Sequence, residues 1–422
     1  MTDERTYIQI IKKEISMALG CTEPAAVALT AAYAAHELEG RAVSLKIYVS
    51  EYILKNGMNV GIPGTGITGL DIAALLGAIS AEPEKQLMVL SGISEEDKLA
   101  AGEMLKNKTV EINLAESEDK IYIRAEASDG VNSTEAVISG SHTNLVSLSK
   151  NGTRMFFKEP GESAAVADFK YDMTVRDIVD FVSAVSGESL DFLEDVIEIN
   201  SQISLDGLTH DYGLNVGKSI LSAETLLSND IGNYAVACTA AAADARMSGC
   251  EKPVMSAVGS GNQGLTATVP IVAISEKLKL EREKEYKALA LSILVTIHTK
   301  QHIGRLSVLC GCSIAAAIGT CCGVIFIFGG GYPEMERGIN TMVADIAGVV
   351  CDGAKPGCAL KIATAVSSAI RSANMALHGI GASGHDGIVA DDVEGTLSNL
   401  GRLGNEGMVG TNRSILSMML KK

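Results

Sequence analysis

The chain has 422 residues, of which 47% are hydrophobic but only 4% aromatic; it has no Trp and 43 Gly. Its core must therefore be built from Ala, Val, Ile, Leu and Met with backbones packed closely, which suits helices better than a β-sandwich. A formal charge of −16 excludes nucleic acid and anionic membrane surfaces as natural partners, because phosphates are held by Lys and Arg.

Tyr7, Ile10, Ile11 and Ile15 recur at helical spacing and predict a first helix that stops near Gly20. The start Met1–Arg5 has no basic and apolar leader, so a cytoplasmic protein is expected. A second helix follows Cys21, with Thr22 as N-cap, Glu23 and Pro24 in the first turn and an Ala-rich body to about His36. Residues Ser44 to Leu54 read as a strand, followed by a Gly-rich loop over Lys55–Gly66 and a helix from about Gly69 to Ala81. That loop lacks the Gly-Lys-Ser/Thr ending of a P-loop.

Beyond Glu84 the texture changes. Thr109–Leu114, Lys120–Ala127, Ser133–Ile138 and Arg154–Phe157 alternate and predict antiparallel strands. From Asp172 helices dominate, over Val175–Val185, Ser189–Ser204, Gly217–Leu227 and Asn233–Arg246, with more from about Glu281. The expected class is α+β: an N-terminal helical and loop part (1–83), a small antiparallel α+β subdomain (84–171) and a helical domain (172–422). Leu306–Tyr332 carries no charge and is long enough to span a bilayer, but its four Cys, its hydroxyls and its Gly favour a buried helix pair.

Nine Cys in a chain without a secretion signal, odd in number and unevenly spaced, do not make a disulfide framework. Six fall between Cys310 and Cys358. The pairs Cys310-Gly311-Cys312 and Cys351-x6-Cys358 match neither a zinc-finger nor a ferredoxin spacing. Soft thiolates select zinc or iron–sulfur clusters, and buried Cys filling a small-residue core is the alternative. Cys358 follows Pro356-Gly357 at a helix start, where free N–H groups and the dipole favour a thiolate. The same holds for Cys21, unless it is an apolar residue stapling its helix.

A small carboxylate needs donors without bulk, and three Gly-rich segments offer them. They carry Lys55, Asn56 and Thr65; Ser141, His142, Thr143 and Asn144; and Ser260, Asn262 and Gln263. Asn56, Thr65, Ser141, His142, Thr143 and Asn262 are the candidate substrate ligands. His142, His302 and His385 are possible acid–base partners. Lys355 invites a pyridoxal phosphate reading that nothing else supports.

Three strings carry a resemblance: Gly20-Cys21-Thr22-Glu23-Pro24, Leu306-Ser307-Val308-Leu309-Cys310-Gly311-Cys312, and Cys351-Asp352-Gly353-Ala354-Lys355-Pro356-Gly357-Cys358-Ala359-Leu360-Lys361. Together with Gly259–Gly264 they resemble the L-cysteine desulfidase family, which is related to the α domain of bacterial iron–sulfur L-serine dehydratases. The resemblance runs over essentially the whole chain. It implies a 4Fe–4S cluster held by Cys351, Cys358 and a third Cys, for which Cys312 is the choice and Cys310 the reserve. It implies Cys21 as the catalytic base, and Gly140-Ser141-His142-Thr143 is similar to the Ser-His-Thr element of the dehydratases. The implied reaction is β-elimination of L-cysteine to pyruvate, sulfide and ammonia, with the substrate thiol on an open iron. Cys321 and Cys322 are expected in the core. L-Serine or threonine dehydration, a non-catalytic cluster sensor and a structural zinc protein are the rival readings. The implied partner is a small amino acid, and a homodimer is expected.

Overall fold

The computed structural model describes residues 4–158, 170–222 and 226–421. Helix α1 (Glu4–Glu14) buries Tyr7, Ile10 and Ile11. It does not run on to Gly20: Ile15–Ala18 is extended as strand β1. Cys21 then occupies the N-cap position of α2 (Thr22–His36), so Thr22 is the first helical residue and its hydroxyl donates to Gly259 O instead (3.2 Å).

Strand β2 (Ser44–Val49) ends five residues before the expected Leu54. Ser50 stops it, because its Oγ accepts the Ile53 N–H and opens helix α3 (Glu51–Gly57). Helices α4 (Leu70–Ser80) and α5 (Glu95–Lys106) lead to β3 (Val110–Leu114), β4 (Tyr122–Ser128), β5 (Ser133–Ser139), β6 (Leu145–Lys150) and β7 (Thr153–Phe157). The sheet order is β3-β2-β4-β5-β6-β7. All neighbours are antiparallel except β2 and β3, which are parallel because a helical crossover joins them. Strand β6 was not foreseen.

Helices α2 and α4 cover this sheet, and one apolar cluster joins residues between Ala26 and Leu148 with Leu416 from near the C-terminus. The core therefore crosses position 83/84 and takes β2, α2 and α4 from the N-terminal stretch. The two helices meet at a glycine: a Cβ on Gly77 would stand 2.0 Å from the Ala28 carbonyl oxygen. Gly77→Ala should destabilise the protein by roughly 3 kcal/mol, as overpacking of a rigid backbone contact does. The urea midpoint measures this, and an unchanged midpoint would show that α4 can shift freely.

The remaining chain is helical: α6 (Val175–Ala184), α7 (Glu194–Thr209), the short α8 (Val216–Ile220) and α9 (Ile231–Met247). Part of the helix expected over 217–227 lies outside the described residues. Strand β8 (Val254–Ala257) pairs antiparallel with β1, from Ile15 opposite Ala257 to Ala18 opposite Val254. Next come α10 (Gly261–Leu278), α11 (Arg282–Ile303), α12 (Ala315–Ile327), α13 (Tyr332–Ile346), α14 (Cys358–Leu377), α15 (Val393–Arg402) and α16 (Thr411–Met419).

The uncharged stretch 306–332 is a loop followed by a single helix, α12, in which Ile318, Cys321, Cys322 and Ile325 are fully buried. No described helix is long and apolar enough to cross a membrane. The fold class is α+β.

Candidate active site

An antiparallel bridge at Leu309 and Val350 builds the centre of the site. Cys310 N donates to Val349 O (2.9 Å) and Cys351 N to Val308 O (2.7 Å), which fixes the two cysteine segments side by side. The loop after Cys351 folds over Asp352, whose carboxylate receives Lys355 Nζ at 2.5 Å and also Lys361 Nζ. Cys358 is then the first residue of α14, as Pro356-Gly357 suggested. Gly311 leaves room between its two cysteines: a Cβ there would meet Gln263 Oε1 at 2.1 Å and Lys300 Nζ at 3.1 Å.

A cavity of ≈110 Å³ is walled by Cys21, Cys310, Cys312, Cys351 and Cys358, with Glu23, Asn56, Arg246, Ser260 and Asn262 among its other linings. It adjoins a second cavity of ≈360 Å³ that shares Glu23, Asn56, Cys310, Cys312 and Cys351. The second adds Ser141, His142, Gln263, Lys300 and Arg305. Chain segments more than 300 residues apart thus bring their thiols to one space.

Burial governs the charge state of these groups. It pushes the Cys21 thiol up to about 11, with Arg246 pulling the other way. The expected thiolate stabilisation at the helix start is thus outweighed, because desolvation of a buried anion exceeds the pull of one helix end. Burial and the neighbouring Cys310 sulfur raise Cys358 to about 12, and burial raises Cys351. Within the Cys310–Cys312 pair, Cys310 is lowered, chiefly because Cys312 and Ser313 donate to its sulfur. Cys312 is raised accordingly.

Two lysines are buried beside the thiols. Lys55 donates to Cys351 O (3.0 Å), and Lys300 donates to Arg305 O (2.9 Å). Neither has a carboxylate partner among the described residues, although both are at most 2% exposed. Burial brings Lys300 down to about 8, opposed by the thiols of Cys312, Cys351 and Cys310. A buried ammonium group without a carboxylate partner is costly, and Lys300 lines the larger cavity, so that space suits an anionic occupant. A thiolate-ligated cluster and an amino-acid carboxylate both have that sign. The thiols are also set wider than one zinc draws its ligands, with Zn–S about 2.3 Å. Among the described residues, no three of their sulfurs lie within 4.8 Å of one another.

Asn56 donates to Glu23 Oε1 (3.0 Å), while its buried Oδ1 has no partner among the described residues. The same is true of His142 Nε2. Both polar atoms belong to residues lining the larger cavity. Asn262 accepts from Arg246 Nη1 (3.0 Å), and Arg246 Nη2 donates to Gly20 O (2.8 Å), tying the Cys21 segment to α9.

Thr65 and Thr143 line neither cavity. Thr65 closes its own turn through Ile62 O and Ile67 N, and Thr143 is exposed. Asn144 braces the turn after β5 through Ser139 O. His385 is exposed, and His302 points to a separate group with His298 and Glu394. Arg246 and Lys300 were missed, although an Arg directly after the Ala-rich run Ala240–Ala245 and a Lys in the long helix α11 were visible signals.

The chain belongs to the serine dehydratase alpha chain family, whose model matches residues 84–417. Among its relatives is a UPF0597 protein of Oleidesulfovibrio alaskensis, 41% identical over 419 residues, covering 99% of this chain and 98% of the relative. UPF0597 proteins of Clostridium perfringens (38% over 419 residues) and Photobacterium profundum (39% over 422 residues) align over the same shares of each chain. The family model begins after Cys21 and Asn56, whereas these relatives align over nearly the full length.

Proposed function

We propose that the protein is an iron–sulfur lyase that removes the β-substituent of a small amino acid, L-cysteine first, giving pyruvate, sulfide and ammonia. It acts in the cytoplasm as a homodimer. The observation that carries this reading is the ≈110 Å³ cavity in which Cys21 faces the thiols of Cys312, Cys351 and Cys358. Membership of the serine dehydratase alpha chain family supports the reaction class.

Cys312, Cys351 and Cys358 would hold a 4Fe–4S cluster, with Cys310 as the alternative to Cys312. When bound, the cluster supplies an open iron that takes up the charge developing on the leaving sulfur. The chain does the rest. Lys300 and Arg246 provide cationic heads for the substrate carboxylate, and the free Asn56 Oδ1 accepts from its ammonium group. Cys21 Sγ takes the Cα proton as the C–S bond breaks, and the resulting 2-aminoacrylate hydrolyses in water to pyruvate and ammonia. Cys21 acts in this step as its thiolate, which burial keeps scarce at neutral pH, so turnover should rise with pH toward the raised pKa of about 11.

A hydroxyl leaving group is the second reading, favoured by the family's name. Anaerobically purified protein should contain four irons and four acid-labile sulfides per chain and absorb near 400 nm. It should release sulfide from L-cysteine faster than pyruvate from L-serine. Zinc in place of iron would overturn the cofactor, and turnover of serine alone would overturn the substrate.

A further inference from the structure

On the far side of α11 from the thiols lies a group that the proposed reaction does not use. His298 and His302 are one helical turn apart on α11, so their rings face the same way. Glu394, in the first turn of α15, reaches between them. His298 Nε2 stands 2.7 Å from Glu394 Oε2, and His302 Nε2 stands 3.9 Å from the same oxygen. The two rings lie 5.1 Å apart, edge to face. These three ligand atoms all fall within 4.8 Å of one another, the one such trio of metal-binding groups among the described residues.

We infer that His298, His302 and Glu394 form a second metal site, for a single divalent ion of the zinc class, separate from the thiols and independent of the lyase reading. Two neutral imidazoles and one carboxylate are a ligand set that zinc takes, with water as a fourth ligand. Tetrahedral bonds of about 2.0–2.1 Å put ligand atoms about 3.3 Å apart. The observed 2.7 and 3.9 Å straddle that value, so an ion would change each His–Glu separation by about 0.6 Å, within the reach of side-chain rotation. The short His298–Glu394 contact is the proton-bearing form, and the ion displaces that proton. The long 3.4 Å contact between His298 Nδ1 and the Gln301 amide is given up as Nδ1 becomes the protonated nitrogen.

The surroundings fit a clamp. Glu394 Oε1 accepts Val175 N (2.8 Å), which orients the carboxylate from behind as outer-shell partners do. Side-chain exposure rises from 6% at His298 to 25% at His302 and 35% at Glu394, which gives an ion a way in. An ion there would join α11 to α15, with α6 attached through Val175.

The test uses cluster-loaded protein, so that the thiols are occupied. Zinc is titrated anaerobically, with bound metal counted by mass spectrometry and the thermal midpoint followed. Wild type should bind one zinc beyond its iron and melt higher. His302→Gln and His298→Gln should bind it about 100-fold or more weakly, since loss of an outer-shell partner alone costs 10–100-fold, and should keep their iron. Cobalt should give weak ligand-field bands without sulfur charge transfer. Equal zinc binding by wild type and both variants, absence of the additional zinc in wild type, or a sulfur-type cobalt spectrum would each overturn the site. His302→Gln, at a partly exposed position, keeps the test valid if His298→Gln misfolds.

Discussion

Cys358→Ser and Cys351→Ser should each give a folded protein that retains no iron–sulfur absorbance and has lyase activity at background. Both side chains are only partly buried and line a cavity that Glu23, Asn56, Arg246 and Ser260 also line, so a hydroxyl in place of a thiol costs little in folding. A hard oxygen is a poor ligand for a cluster that selects soft sulfur. The contrast is with Cys321→Ser and Cys322→Ser. These thiols are fully buried in α12, and an unpartnered hydroxyl there costs about 1–3 kcal/mol. Those two variants should melt early and still carry iron. Within the Cys310–Cys312 pair, whichever serine variant loses iron identifies the third ligand. Iron per chain and absorbance near 400 nm are the measurements, and full iron retention by Cys358→Ser would remove the cluster from this site.

Cys21→Ala should keep its iron and lose about 10³-fold in turnover, the typical contribution of a positioned general base. Cys21 is 4% exposed and packs with Val60 and Met247, so alanine leaves a small hole and the fold stands. The decisive readout is exchange of the substrate Cα hydrogen with deuterated water, which tracks proton removal apart from sulfide release. Exchange should vanish in the variant. If it persists at the wild-type rate, Cys21 is not the base, and His142, with its free Nε2 in the adjoining cavity, becomes the candidate.

Much of this site could be read from residue order. Pro356-Gly357 before Cys358 marks a helix start, and the helix begins there. The Ala-rich runs gave α2 and α9 almost to their ends. What failed was set by tertiary surroundings. Ser50 can continue a strand or cap a helix, and only its partners Ile53 N and Lys120 O decide. Thr65 and Thr143 sit in Gly-rich loops just as Asn56 and His142 flank them, but which loop atoms face inward depends on how the sheet docks against the helices. The charge state expected for Cys21 rested on its helix end alone, whereas its burial is made by residues far along the chain. Lys300 shows the same limit. A lysine in a helix reads as solvated until the surrounding elements close over it.

The β1–β8 ribbon acts as a ruler for the proposed base. Four residue pairs lock Ile15–Ala18 against Val254–Ala257, and only Leu19 and Gly20 separate that lock from Cys21. Adding or removing one residue in this stretch would slide the sulfur by about 3.3 Å, one strand rise, beyond reach of a proton it is meant to collect. Length at this point is therefore as restrictive as chemistry, and indels should be purged there even where substitutions of Leu19 are tolerated.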